Sequence, residues 1–382
     1  MSGAGQSSGK HTGRRRGGVR RRRKSSDTRS KIIAALDLGT NNCRLLIAYP
    51  EPGGFKVIDG FSQIVRLGEG VASSGKLSEA AMDRTVIALR MCAERIVKRG
   101  VSHGRYIATE ACRKAANGEQ FLEHVENEVG LRLEIISSRE EAELTLTGCR
   151  SLFDLSSPYA LTFDVGGGSA EILWVKLSDT EEPKIVDTIS LPCGVVTMTE
   201  RYGDPDISPE NYVRMVEDIQ ALLQPFDDKY RISSAMANNQ VQMLGTAGTV
   251  TTIAGVQMGL NRYNRSLVDG SWLDFGTVYS VCASLVNASF VDRASYACVG
   301  KNRAELVVAG CGVLEAVCKT WPAGRLRVAD RGVREGILLG LSRLVIGQPQ
   351  TVANAIGRHT EIRSKVFKSP KVYQANAPTP RS

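Results

Sequence analysis

The chain has 382 residues, 42% of them apolar and 23% charged, which suits about two domains with a large core and excludes disorder throughout. Its formal charge of +9 sits at the ends: residues 1–31 carry 11 Lys and Arg against one acid, residues 358–382 carry six against one, and the body between them is net negative. No apolar run approaches the ~18 residues of a membrane helix, and nine cysteines without a C-x-x-C pair exclude a disulfide scaffold or a structural zinc and point to a reducing cytoplasm.

In chain order, residues 1–30 are Gly, Ser and Arg with little to bury, a disordered basic tail without the apolar stretch of an export signal. Residues 32–36 and 44–48 read as two strands around the polar turn Asp37-Leu38-Gly39-Thr40-Asn41-Asn42. Ser78 opens a helix with Met82, Val86, Leu89, Ala93, Ile96 and Val97 at three- and four-residue spacing, and Gly100 stops it. Asn117 precedes a shorter helix bearing Phe121, Leu122, Val125 and Val129, ended by Gly130. Strand, Gly turn and strand recur at 159–163, Asp164-Val165-Gly166-Gly167-Gly168-Ser169 and 171–175. Ser208-Pro209 begins a helix with Val213, Val216, Ile219, Leu223 and Phe226 on its inner side. Alternating strands and helices favour α/β layers. The two turn aspartates stand 127 positions apart, about one domain, as expected of two related lobes over 31–146 and 147–345. The Lys-, Pro- and Ser-rich residues 346–382 read as a second disordered basic tail.

A turn of Asp-x-Gly followed by Gly, Thr or Ser presents consecutive backbone N–H groups and hydroxyls to an anion, and its Asp adds a hard oxygen for a hydrated Mg²⁺. An ordinary tight hairpin uses the same residues; two such turns, each behind a buried-type strand, favour phosphate. Gly245-Thr246-Ala247-Gly248-Thr249 follows the apolar residues 241–244 and leads into a helix, which suits either an anion at the helix start or close packing. The glycines of residues 309–314 read as packing. The acids of Ser137-Ser138-Arg139-Glu140-Glu141-Ala142-Glu143 suit a base beside a bound phosphate, or the solvated first turn of a helix. Arg113 reads as a phosphate ligand or a surface cation.

Taken together, Asp37 to Asn41, Thr109 to Ala115, Ser138 to Ala142, Asp164 to Ser169, Gly245 to Thr249 and Val328-Ala329-Asp330-Arg331-Gly332-Val333-Arg334-Glu335-Gly336 resemble the exopolyphosphatase/guanosine pentaphosphate phosphatase family over residues 32 to about 343. The resemblance implies two actin-like (ribonuclease-H-like) α/β lobes with a cleft between them, and Mg²⁺-dependent removal of a terminal phosphate from inorganic polyphosphate or guanosine pentaphosphate. By position, Glu141 is implied as the catalytic base and Asp164 as the principal metal ligand, with Glu171 and Asp37 as further acidic groups. Gly39, Thr40, Asn41, Arg44, Arg113, Gly166, Gly167, Gly168, Ser169, Gly245 and Thr246 are implied to hold phosphate. Ala170 stands where the family usually has Thr, Asn42 where it has Ser, Ser138 where it has Gly, and Ala309 where it has Pro. Nothing after Gly347 suits the helical, HD-type region of long family members, so the likeness is to a short two-lobe form, as monomer or homodimer.

Two other functions fit the same turns: an actin-like sugar kinase, which requires a sugar to accept phosphate from ATP, and a polyanion- or nucleotide-binding regulator without turnover. Nucleic acid is expected to meet the chain only through the arginines of the N-terminal tail, which lack interleaved aromatics for stacking. The same arm suits the concentration of a polyphosphate near the cleft.

Overall fold

The computed structural model describes residues 31–203, 206–347 and 360–361. The expected basic tails lie outside the described residues, apart from 346–347 and 360–361. Two sheets repeat one topology. In the first, β1 (Ile32–Leu38), β2 (Asn42–Glu51) and β3 (Gly54–Ile64) form an antiparallel meander, β4 (Val101–Ala108) joins parallel to β1, and β5 (Glu134–Ile135) joins parallel to β4. In the second, β6 (Tyr159–Val165), β7 (Ala170–Lys176) and β8 (Lys184–Leu191) form the meander, β9 (Val241–Thr246) lies parallel to β6, and β10 (Trp272–Asp274) and β11 (Arg325–Ala329) complete the edge beyond β9. Both sheets thus run meander first and parallel strands second, the two-lobe actin-like α/β architecture. A two-residue strand, β12 (Thr360–Glu361), pairs antiparallel with β4.

Parallel neighbours require crossover connections, which the helices supply. In the first lobe α1 (Val71–Ser74) and α2 (Glu79–Arg99) lead to β4, and α3 (Glu110–Lys114) and α4 (Gly118–Val129) lead to β5. The Ser78 side chain accepts from the Ala81 N–H, and Gly100 closes α2 at φ 66, as the sequence pattern expects. Val97 is 57% exposed, however, at the fraying end of the apolar stripe. Asn117 does not cap α4 through its side chain; it bonds both backbone groups of Leu77, at 2.8 and 3.0 Å, and ties the start of α4 to that of α2.

After α5 (Ser138–Cys149) the chain crosses into the second lobe. There α6 (Val195–Tyr202), α7 (Pro209–Tyr230) and α8 (Ile232–Ala237) precede β9, and α9 (Ala247–Gln257), α10 (Arg265–Val268), α11 (Phe275–Asn287), α12 (Phe290–Ser295) and α13 (Val307–Thr320) follow it. Ser208 caps α7 through the Asn211 N–H; Val213 is 55% exposed, while Val216, Ile219, Leu223 and Phe226 face inward together with Tyr212 and Met215. The glycines of residues 309–314 serve packing inside α13: a side chain at Gly310 would meet Thr249 at 2.9 Å, and one at Gly312 would meet Met215 at 2.2 Å. Trp321 is fully buried below α13, its indole N–H donating to Asp227 at 2.8 Å.

The last helix, α14 (Val333–Ile346), returns to the first lobe. Val333, Ile337, Leu338 and Leu341 cover Ile33, Ala35, Leu46, Ala48 and Ile107 on the first sheet. The stretch 147–345, expected in the second lobe, therefore divides near residue 332, because an apolar stripe does not say which sheet covers it. α14 also crosses α5 at two glycines: a Cβ on Gly336 would stand 2.0 Å from the Leu144 carbonyl oxygen, and one on Gly148 would stand 2.2 Å from that of Gly332. No described helix is long and apolar enough to cross a membrane.

Candidate active site in the interlobe cleft

Both Gly turns open on the cleft. In the first, the Gly39 N–H donates to the Asn42 carbonyl at 2.9 Å, and the strap after β3 fastens the turn from outside: the N–H groups of Val65 and Arg66 donate to the Asn41 carbonyl, and that of Gly68 to the Thr40 carbonyl. In the second, the Gly166 N–H donates to the Ser169 carbonyl, and the start of α6 docks on the turn, with Val195 and Val196 N–H groups donating to the carbonyls of Gly166 and Gly167 at 3.0 and 2.7 Å. A side chain on Gly194 would stand 2.4 Å from the Gly167 and Gly168 backbone, so this docking requires glycine.

A cavity of about 170 Å³ lies between the turns. From the first lobe Asp37, Gly39, Thr40, Asn41, Arg44 and Glu141 line it; from the second, Asp164, Gly166, Gly167, Ser169, Glu171 and Thr246. The three remaining sequence candidates stand behind this lining. Arg113 does not reach the cavity, because its guanidinium is engaged by the Ile136 carbonyl at 2.8 Å and by Glu141 Oε2 at 3.3 Å. Gly168 packs against Glu110 and Thr40, and Gly245 against the ring of Phe163, where any Cβ would stand 2.6 Å from the ring edge.

Local structure aims the carboxylates. Asp37 and Asp164 occupy the same place near the ends of β1 and β6, opposite Arg44 and Glu171 in the antiparallel registers. Glu141 rides in the first turn of α5, started by Ser137, whose side chain accepts from the Glu140 N–H. The first turn is therefore the acidic one the helix dipole favours, and it also faces the cleft: the Glu141 side chain is 18% exposed. Burial and the nearby Glu171 push the Glu141 carboxyl well above its ordinary value, with Arg113 opposing and Asp37 and Asp164 adding to the rise. Burial lifts Asp164 to about 6 against the pull of Arg44, and burial with Asp164 lifts Glu171, whose carboxylate is held by the hydroxyls of Ser169 and Ser190. Burial raises Asp37 as well, with Arg44 and Arg334 opposing it.

Four carboxylates thus converge from two lobes at a cost in mutual repulsion that a cation would relieve. Among the described residues no three His, Cys, Asp or Glu form a ready-made metal cluster. The hard oxygens of Asp37, Asp164 and Glu171 fit an ion that keeps most of its water, such as Mg²⁺, and do not fit a closed structural site.

Sequence reasoning missed Glu110, Arg303 and Arg334, all of which line the cavity. Arg334 lay in a quoted motif without a role; the turn from β11 into α14 brings it under Asp37, where burial and repulsion from Arg44 depress its pKa. Arg303 lies in a loop without pattern, and Glu110 is buried beneath both Gly turns with one carboxylate oxygen lacking a partner among the described residues. Ala247, at φ 72, is a further signal that only the fold reveals: a non-glycine residue held in the left-handed region where α9 opens onto the cleft. Beyond the cavity, a groove of about 1130 Å³ continues between the lobes with Arg44, Lys301, Arg303 and Arg334 on its walls.

The family model described as the Ppx/GppA phosphatase family matches residues 46–344. Exopolyphosphatase 2 of Mycobacterium tuberculosis is 29% identical over 330 residues, which cover 81% of this chain and 98% of that protein. A guanosine-5'-triphosphate,3'-diphosphate pyrophosphatase of Aeromonas hydrophila is 24% identical over 312 residues, 82% of this chain and 60% of that longer one. The crystal structure of the Ppx/GppA family member of Aquifex aeolicus matches with a TM-score of 0.67 and 27% identity over 84% of this chain and 99% of that one.

Proposed function

The chain belongs to the Ppx/GppA phosphatase family, whose members here are hydrolases of phosphoric anhydrides, and from that premise we propose that it removes the terminal phosphate of inorganic polyphosphate, with Mg²⁺ bound in the cleft and Glu141 as the base. The observation that carries the proposal is the convergence of Glu141, three further carboxylates and two phosphate-suited turns in one cavity. Two features support polyphosphate over guanosine pentaphosphate as the main substrate: the basic groove that continues from the cavity, and the likeness to an exopolyphosphatase over 98% of that protein's length and 81% of this chain's.

In this proposal the terminal phosphate seats between the turns at Gly39–Asn41 and Gly166–Ser169, with Arg44 and Arg334 offsetting its charge. Asp164, Glu171 and Asp37 would hold the Mg²⁺, which would supply charge neutralisation of the phosphate. Glu141 takes a proton from a water whose oxygen attacks the terminal phosphorus; the bridging P–O bond breaks, releasing orthophosphate and a chain one unit shorter. A carboxylate whose pKa is raised by its surroundings is a stronger base for that proton, and Arg113 holds it in place. Phosphoryl transfer needs this alignment and charge compensation more than covalent chemistry. Nine buried free thiols support a reducing compartment as the place of action.

Glu141→Gln keeps the size and polarity of the side chain and removes the base. It is expected to lower kcat for phosphate release by about 10²–10⁴-fold with the KM for polyphosphate little changed. Wild-type turnover in the variant would remove Glu141 from the role. Parallel assays with long polyphosphate, short polyphosphate and guanosine pentaphosphate decide the substrate.

A further inference from the structure

At the rim of the large groove the two lobes are tied together. Arg66, in the strap after β3, donates to Glu305 Oε2 at 2.8 Å, joining residues 239 apart in sequence across the cleft. Both side chains remain within reach of solvent, 38% and 29% exposed. Arg66 holds φ 51, a backbone conformation costly for a residue with a Cβ, so its position is imposed by the strap and not by local preference. Its own N–H and that of Gly68 are bonded to the carbonyls of Asn41 and Thr40, which makes the strap and the first phosphate turn one mechanical piece. The strap also reaches the other turn: the Gly70 N–H donates at 3.0 Å to Glu200 of α6, the helix docked on Gly166 and Gly167.

A carboxylate that accepts a hydrogen bond from a guanidinium occupies the place a phosphate oxygen takes with similar geometry. Here Arg66, the partner of that carboxylate, lines a groove whose walls also carry Arg44, Lys301 and Arg303, beyond the cavity that receives the terminal phosphate. We propose that Arg66 and Glu305 form a gate for chain length: Glu305 holds Arg66 until a phosphate several units behind the terminal one displaces it, so the pair sets the preference between short and long polyphosphate. The proposal rests on the hydrolase reading above. No covalent bond changes in the exchange; the guanidinium trades one anion for another, and the Glu305 carboxylate returns to water. The pair is exposed, so the effect is modest and screened by salt.

The test compares the full chain and the variants Glu305→Gln, Arg66→Gln and the double substitution, measuring phosphate release from tripolyphosphate and from long-chain polyphosphate at low and high salt. Glu305→Gln frees Arg66 and is expected to lower the long-chain KM about threefold at low salt, leaving the tripolyphosphate KM and both kcat values unchanged. Arg66→Gln raises the long-chain KM, and in that background Glu305→Gln adds nothing. A merely structural pair would shift both substrates together. Equal shifts, or an effect of Glu305→Gln that survives without Arg66, overturn the gate and leave the hydrolase reading standing. No phosphate release from either substrate by the wild type overturns that reading, and the gate with it.

Discussion

Gly336→Ala tests whether the crossing of α5 and α14 sets the geometry of the cleft. α5 carries Glu141 in its first turn and α14 carries Arg334 in its own, so the distance between these helices fixes the proposed base against a cation that lines the same cavity. The added Cβ would stand 2.0 Å from the Leu144 carbonyl oxygen, where ordinary contact begins near 3.4 Å. The obstacle is backbone, which has no rotamer to move into, so the helices must part by more than 1 Å. Overpacking of this kind costs about 1–3 kcal/mol, and it also loosens Ile337, Leu338 and Leu341 from the first sheet. A displacement of about 1 Å at a catalytic group costs on the order of 10²-fold in rate. Thermal unfolding and steady-state phosphate release are measured beside Gly54→Ala, whose Cβ meets nothing within 4 Å. We expect Gly336→Ala to fall by several degrees in Tm and about 10²-fold in kcat, and Gly54→Ala to match the wild type. A Gly336→Ala chain with wild-type Tm and kcat would refute the claim that this contact positions Glu141.

Asp164→Asn removes one of the few carboxylates available to a cation, and we expect the apparent affinity for Mg²⁺ to fall on the order of tenfold, about 1.4 kcal/mol, with activity partly recovered at high Mg²⁺; calorimetric titration with Mn²⁺ reads the same loss without turnover, and unchanged binding would take Asp164 out of the site. Asp187, which accepts from Lys229 at 2.8 Å and Tyr230 at 2.6 Å, has its pKa lowered to about 2 by the Lys229 bond first and the Tyr230 bond second. A depressed folded pKa stabilises above the ordinary value of 3.8 and loses that stabilisation as pH falls towards 2. Asp187→Asn should therefore be less stable than wild type by no more than about 1 kcal/mol near neutrality, with the gap closing through that acidic window in urea unfolding, whereas a gap constant with pH would contradict the assignment.

Much of this architecture was legible where one residue type has one local use. Ser78 and Ser208 start helices through their hydroxyls, and Gly100 and Gly130 end helices with positive φ, all within a few residues of their partners. The repeated Asp-x-Gly turns were legible for the same reason, and together they located two lobes and a cleft. What the chain order conceals is which distant surface covers an element. The apolar face of α14 does not name the sheet it covers; in the fold it packs on the first, and Gly148 and Gly336 admit its close crossing of α5. Arg113 is similar: a cation in a phosphate-family motif suggests substrate, yet the bonds to Ile136 and Glu141 occupy it. Arg303 has no local signature, since it sits in a turn and is held by a residue distant in sequence, its guanidinium donating to the Thr252 hydroxyl at 2.9 Å.

The opening charge balance then takes on a different meaning at the site. The body between the tails is net negative, and the cleft itself collects Asp37, Glu141, Asp164 and Glu171, so a polyanion is not drawn in by the charge of the chain as a whole. Under the proposed function it would be met by local cations, Arg44, Arg303 and Arg334 on the walls, and by a divalent ion held among the carboxylates. Charges this close are screened far less by salt than the partly exposed Arg66–Glu305 pair. Raising ionic strength should therefore weaken the engagement of long chains at the rim before it weakens turnover of a terminal phosphate in the cavity. In the proposed reaction these carboxylates would repel the substrate in the absence of a cation, which would make the cation a condition for binding as well as for chemistry.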